Sequence, residues 1–197
     1  EQRITHTSLM ANMPHTQTAI EIARANGFTE QVGLHFNLTE GPALSQAIRQ
    51  CKRFVDNSGQ FCYRRNSAIW LTRKERKAIR EEFKAQLRVL NEAGIYPKHM
   101  DSHEHVHTEP AIMMAIAPLV SHHNIRIVRI ARNADIESVT LKSLYKRAFN
   151  SYLRCRQILT MRYFTDYRFF EPERKNIEYE CHPEIENSEI HMKHYDE

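Results

Sequence analysis

Glycine and proline are scarce in this sequence, five and seven in 197 residues, and no stretch repeats at a fixed period. That excludes a linker-dominated or low-complexity chain and argues against a repeat architecture. Cysteine is equally thin: Cys51, Cys62, Cys155 and Cys181 stand far apart, form no CxxC pair and follow no secretory signal. Such spacing fits thiols in a reducing, cytoplasmic compartment better than a disulfide framework. Long apolar runs are missing too, and none approaches the roughly 20 residues needed to cross a bilayer, so neither a span nor an anchor is expected. Charge of one sign does not dominate: 28 Lys plus Arg face 24 Asp plus Glu, a net of +4. The densest basic stretch, Arg64-Arg65 and then Arg73 to Lys77, is broken by acids and runs into Glu81-Glu82. It reads as a solvated helix face and not as a nucleic-acid surface.

With 41% hydrophobic residues the chain can bury a substantial core, and one folding unit over 1–197 is expected. Ile4 to Met10 is β-branched and partly alternating, a strand; Pro14 then opens a helix with an apolar face at Ala19, Ile20, Ile22 and Ala23, stopped by Gly27. Val32 to Thr39 is a short apolar strand closed by Glu40-Gly41-Pro42. Residues 43 to 68 have no period and read as a long excursion, with a hairpin suggested by Asp56-Asn57-Ser58-Gly59. From Leu71 to Ala93 the residues Ile79, Phe83, Leu87 and Leu90 recur at helical spacing, between a Thr72 cap and Gly94. A strand over 95–102, a helix over 110–120 and a strand over 125–130 follow; 138–170 reads as helical and basic, and 177–181 as a final strand. This alternation predicts an α/β fold with a mostly parallel sheet, open or closed into a barrel.

Histidine is abundant, 12 of 197 residues, and His99, His103, His105 and His107 fall within nine positions together with Asp101. All five positions are odd, so a strand continuing through the run would place them on one face. Imidazoles and a carboxylate gathered on a buried face are costly unless something binds there, and a divalent metal is the simplest binder. A surface cluster with adventitious affinity is the plain alternative. Against it, the run follows directly on a predicted core strand, and α/β sites gather at the carboxyl ends of parallel strands. Two further histidines sit on predicted strands: His35, with Asn37 beside it, and His182 in Glu180-Cys181-His182-Pro183. A lone histidine in an apolar strand is more often a satisfied core residue; several at strand ends converge at one mouth of the domain.

Four segments, Thr7 to Pro14, Val32 to Gly41 with its Gly33-Leu34-His35-Phe36-Asn37-Leu38-Thr39-Glu40-Gly41, Asp101 to His107, and Cys181-His182-Pro183, together resemble the YdjC-like carbohydrate deacetylases. The segments run in the family's order and cover nearly the whole chain. The resemblance implies a distorted (β/α) barrel of the polysaccharide-deacetylase type and hydrolytic removal of acetyl from an N-acetylated amino sugar or oligosaccharide. It implies one divalent metal, Mg2+ or Zn2+, with His35 and His103 as ligands carried over by position. Asp101, His105 and His107 then become substrate-facing or supporting groups and His182 the catalytic acid or oxyanion stabiliser; Asn37, beside His35, and Arg129, a candidate anion receiver, are expected in the same substrate-facing or supporting role on their own chemistry. The family's opening strand, with its Asp-Asp pair and metal-binding aspartate, has no match here, which predicts an incomplete metal site and weak activity for this chain.

Two rivals come from other classes. Arg129 and the basic segment around Arg147 and Arg154 could receive the anion of a metal-dependent phosphoesterase. Alternatively, the chain is a non-catalytic metal-binding or interaction module whose open strand edge recruits a second chain, for example as a homodimer. Neither nucleic acid nor membrane is expected as a partner.

Overall fold

The computed structural model describes residues 4–67, 69–134, 140–186 and 189–193. The chain divides into two compact units, Glu1–Val128 and Arg129–Glu197.

The first unit is built from alternating strands and helices. Strand β1 (Thr7–Leu9) leads to α1 (Thr16–Ala25), β2 (Val32–Phe36), the short α2 (Gln46–Arg49), α3 (Arg73–Glu92), β3 (His99–Ser102), α4 (Pro110–His122) and β4 (Ile127–Val128). The four strands form one sheet in the order β1-β2-β3-β4, every pair parallel. The strands are shorter than the apolar patterns predict, because pairing stops where each chain turns toward its loop. Strand β2 is buried at Val32, Gly33, Leu34 and Phe36, as a central strand of a covered parallel sheet must be, and only His35 is half-exposed.

Helix α3 forms where its period predicts. Thr72 caps it by accepting from the Glu75 backbone, and the Glu75 carboxylate reaches back to the Thr72 N–H at 2.8 Å, a full capping box. Ile79, Phe83, Leu87 and Leu90 are all buried, with Phe83 edge-on to Phe36 of β2 at 5.4 Å. Two polar residues on this helix are buried as well. Glu82 accepts from the Leu44 and Ser45 backbones, and Gln86 exchanges two hydrogen bonds with the backbone of Asn37 at 3.0 and 2.7 Å. The 43–68 excursion is thereby tied to the helix. It contains α2 and two isolated antiparallel bridges, Pro42 with Gln60 and Val55 with Phe61, around the Asp56 turn.

The second unit comprises α5 (Leu141–Cys155), β5 (Tyr163–Asp166), β6 (Ile177–Glu180), β7 (His182–Glu186) and β8 (Glu189–Lys193). Strands β5 and β6 pair in parallel, and β7 and β8 form an antiparallel hairpin. Helix does not run from 138 to 170: it stops at Cys155, where Gln157 takes a left-handed φ of 57°, and the aromatic Tyr163-Phe164 pair goes into strand. Residues 138 and 139 lie outside the described set. Nor is 177–181 the last strand, since the β7–β8 hairpin follows it.

At the start of the sheet, Gly33 leaves room for a side chain from the neighbouring strand. A Cβ there would lie 2.3 Å from His99 Nε2, and that ring crosses β2 to reach the Thr7 carbonyl at 3.1 Å. Replacing Gly33 by Ala is therefore expected to expel the His99 ring and to cost about 1 kcal/mol, the net worth of a hydrogen bond. In denaturant unfolding the loss should be non-additive with His99→Ala, which removes the same contact; full additivity would contradict this reading.

Candidate functional site

The pairing of β2 with β3 sets His35 directly opposite Asp101, as Cα partners in adjacent parallel strands. Side chains opposite one another on one face of a sheet meet, and His35 Nδ1 lies 2.8 Å from Asp101 Oδ1. Ser8 on β1, the next strand, adds its hydroxyl 3.1 Å from the same nitrogen. Asp101 is buried and His35 half-buried, so the carboxylate fixes the imidazole through Nδ1 from beneath.

The strand does not continue through the histidine run. After Ser102 the chain enters 3-10 turns over His103–Thr108, with Glu104 and His105 at φ of 46° and 53°, in the left-handed region. The expected single face of odd-numbered residues is thus broken, because a left-handed pair rotates successive side chains away from the pleat. His99 stays at the start of the sheet, against Gly33, with its ring 5.2 Å from that of His6. His107 turns inward, fully buried, its Nδ1 2.5 Å from Ser102 Oγ. His103 turns toward His35, the two rings 5.7 Å apart between centroids and inclined at 62°.

Glu40 joins this pair. Its Oε1 lies 3.1 Å from His103 Nε2, from the loop that follows β2. That loop is held by buried amides: Asn12 and Asn37 both donate to the Glu40 carbonyl, at 3.0 and 2.6 Å, and Asn37 Nδ2 also donates to Asn12 Oδ1. Asn37 Oδ1 accepts from the backbone N–H groups of Thr39 and Glu40. Asn37 is fully buried, with its amide engaged in building the loop. Gly41, next in line, has φ of 73°, the left-handed region that favours glycine, and a Cβ there would press on Met13 Sδ at 2.7 Å. Glu40 and Ser8 escape a reading of the sequence built on histidine. The signal for Glu40 was its place immediately after a strand in a polar, glycine-ended turn.

The electrostatics favour neutral imidazole at His103. Burial lowers its pKa first, the Glu40 carboxylate opposes that, and the neighbouring His35 lowers it further. Neutral imidazole is the form that ligates metals. The pair His35 and His103 therefore fits two positions of a divalent-ion site by chemistry and by spacing. Among the described residues no group of three His, Cys, Asp or Glu side chains is gathered closely enough to hold an ion unaided.

Arg129 and His182 belong to the second unit. The Arg129 guanidinium is engaged by Glu178 and Glu180, both at 2.6 Å, and lies over the Phe164 ring at 4.8 Å. His182 opens β7 with an exposed side chain. A cleft of about 550 Å³ between α3 and α4, lined by Lys84, Arg88, His122 and His123 among others, includes none of the residues just described.

The model of the family described as YdjC-like protein matches residues 1–193. Similar relatives include a carbohydrate deacetylase of Clostridium beijerinckii, 35% identical over 64% of this chain and 49% of its own length. That of Homo sapiens is 30% identical over 74% of this chain and 46% of its own, and that of Geobacillus stearothermophilus 34% identical over 69% and 53%. The chain spans about half the length of these curated relatives. A crystal structure from Enterococcus faecalis V583, of a protein provisionally described as cleaving cellobiose phosphate, superposes with a TM-score of 0.63 at 21% identity. It covers 85% of this chain and 59% of its own, and at that identity it speaks for the fold alone, an α/β scaffold with a parallel sheet.

The pKa direction at His103 has a measurable consequence. In an NMR titration its midpoint is expected below histidine's ordinary 6.5. Because the folded midpoint lies below the unfolded one, the stability linked to this group is intact above about pH 6.5 and lost as pH falls through the folded midpoint. A His103 midpoint above 6.5 would contradict the assigned environment.

Proposed function

For a chain that belongs to the YdjC-like family, we propose metal-dependent hydrolysis of the acetamide of an N-acetylated amino sugar or its oligosaccharide. The observation that carries this reading is the His35–His103 pair at the carboxyl ends of adjacent parallel strands, with Asp101 holding His35 and Glu40 beside His103. The relatives' names supply the reaction class, and the family match across both units, residues 1–193, supports reading 1–197 as a single deacetylase-like domain.

His35 and His103 are the residues that would hold the ion. When bound there, a divalent metal supplies Lewis acidity toward the acetamide carbonyl and an activated water. Two imidazole donors favour Zn2+ over Mg2+, which prefers oxygen ligands. Asp101 orients the His35 ring through Nδ1, the ordinary work of a carboxylate behind a ligating histidine. Asn37 acts through the loop it builds, and buried His107 by fixing the turn after β3. His105 is proposed to face the substrate. His182 is proposed as the proton donor to the departing amine, supported by the Cys181-His182-Pro183 resemblance.

The phosphoesterase reading loses its leading candidate, since the Arg129 guanidinium is already engaged by two carboxylates. The four cysteines are free thiols, which supports a cytoplasmic setting, and no described helix is long and apolar enough to cross a membrane.

The test is a paired assay of the whole protein, with Zn2+ or Mg2+ added, for acetate release from N-acetylglucosamine oligomers and phosphate release from sugar phosphates. Acetate release is expected, falling at least about 100-fold in His35→Ala and His103→Ala, in keeping with the loss of a group that orients charge in the transition state. Phosphate release without acetate release would overturn the assignment.

A further inference from the structure

The two site histidines are approached by carboxylates from opposite sides of their rings. Asp101 meets His35 at Nδ1, and Glu40 meets His103 at Nε2. An imidazole held at one nitrogen in its neutral form carries the proton there and presents the other nitrogen as a lone pair. The difference in the nitrogen engaged therefore decides which atoms remain for a ligand. Asp101 is buried in the sheet, whereas the Glu40 side chain is 53% exposed, and its placement comes from its backbone. That backbone is unusually well determined: Asn12, Asn37 and, through Asn37, Gln86 of α3 fix it with amide hydrogen bonds, and Gly41 closes the turn in a conformation other residues resist. A buried amide network is an expensive way to hold a surface carboxylate unless its position matters.

We propose that Glu40 is the positioning residue of His103, holding its Nε2 so that His103 offers Nδ1 while His35, held by Asp101, offers Nε2. This rests on the metal-site reading above but makes a claim that stands apart from it, about imidazole tautomers in the protein itself. The mixed pair has a geometric consequence. A histidine ligating through Nδ1 brings its own backbone nearer the ion than one ligating through Nε2. A left-handed turn at Glu104 and His105 follows directly after His103. Glu40 acts through His103, which its carboxylate meets at Nε2.

Long-range 1H–15N spectra of the imidazoles, recorded at pH 7.5 on the whole protein without added metal, test the proposal. The expected result is a protonated Nδ1 on His35 and a protonated Nε2 on His103. Glu40→Gln keeps an acceptor oxygen and should preserve the His103 tautomer, while Glu40→Ala should release it to a mixture and leave His35 unchanged. Thermal melts check that both variants are folded, which the backbone origin of the loop leads us to expect. In Zn2+ titrations Glu40→Ala should weaken binding about 10- to 100-fold, with partial rescue in Glu40→Gln. A His103 carrying its proton on Nδ1, or a tautomer indifferent to Glu40→Ala, would overturn the proposal. Should the tautomers respond as expected while no form of the protein binds Zn2+, the positioning role holds and the metal reading fails.

Discussion

The register of β2 on β3 is the constraint on which the site depends. Parallel pairing fixes His35 opposite Asp101 and, with them, Leu34 opposite Met100 and Phe36 opposite Ser102. A slip of one residue would send His35 toward the apolar face and bring Leu34 or Phe36 out in its place, exchanging a satisfied imidazole for a stranded one. The slip is prevented by burial: Leu34, Phe36 and Met100 are all within 2% of full burial, and Phe36 locks against Phe83 of the best-formed helix. Core packing and site geometry are therefore the same fact seen from the two faces of one sheet. Ser8 extends the arrangement to a third strand, so β1 and β3 each place a side chain on the imidazole nitrogen that β2 carries.

Around that pairing the fold supplies two turns of unusual backbone. One is the Glu40-Gly41 turn, carried on amides from Asn12, Asn37 and Gln86; the other is the left-handed Glu104-His105 turn after β3. Each presents a side chain, Glu40 or His103, over the ends of the strands. Left-handed conformations at non-glycine residues cost energy and persist where surrounding contacts determine them, which is why such turns gather at functional sites. Here the turn after β3 divides the histidine run: His103 is aimed at His35 and His107 is buried on Ser102, while His99 stays at the far end of the sheet.

Much of this was legible beforehand. The helical period over 71–93, its Thr72 cap and the Gly94 stop come from local chemistry, and α3 forms accordingly. The motif residues His35, Asp101 and His103 come together because two apolar strands carry them, and apolar strands pair. The histidine face was misread for a physical reason: strand period is a property of extended backbone, and nothing in Glu104-His105 announces φ above zero, since neither is glycine. Residues 138–170 misled in another way. Their Tyr, Phe and Arg content suits a helix face and a strand equally; the helix ends locally at Cys155, and Tyr163–Asp166 becomes strand by pairing with Ile177–Glu180. Glu40 was hidden because an exposed glutamate in a loop carries no period at all; only the amide network beneath it reveals that its place is fixed.

The central claim about the molecule is that His35 and His103 are donors to one divalent ion. X-ray absorption on the protein loaded with one equivalent of Zn2+ tests it directly. The expected spectrum has an imidazole shell of two nitrogens at about 2.0–2.1 Å, reduced to one in His35→Ala and in His103→Ala. A spectrum with no imidazole shell, or one unchanged by either substitution, would contradict it.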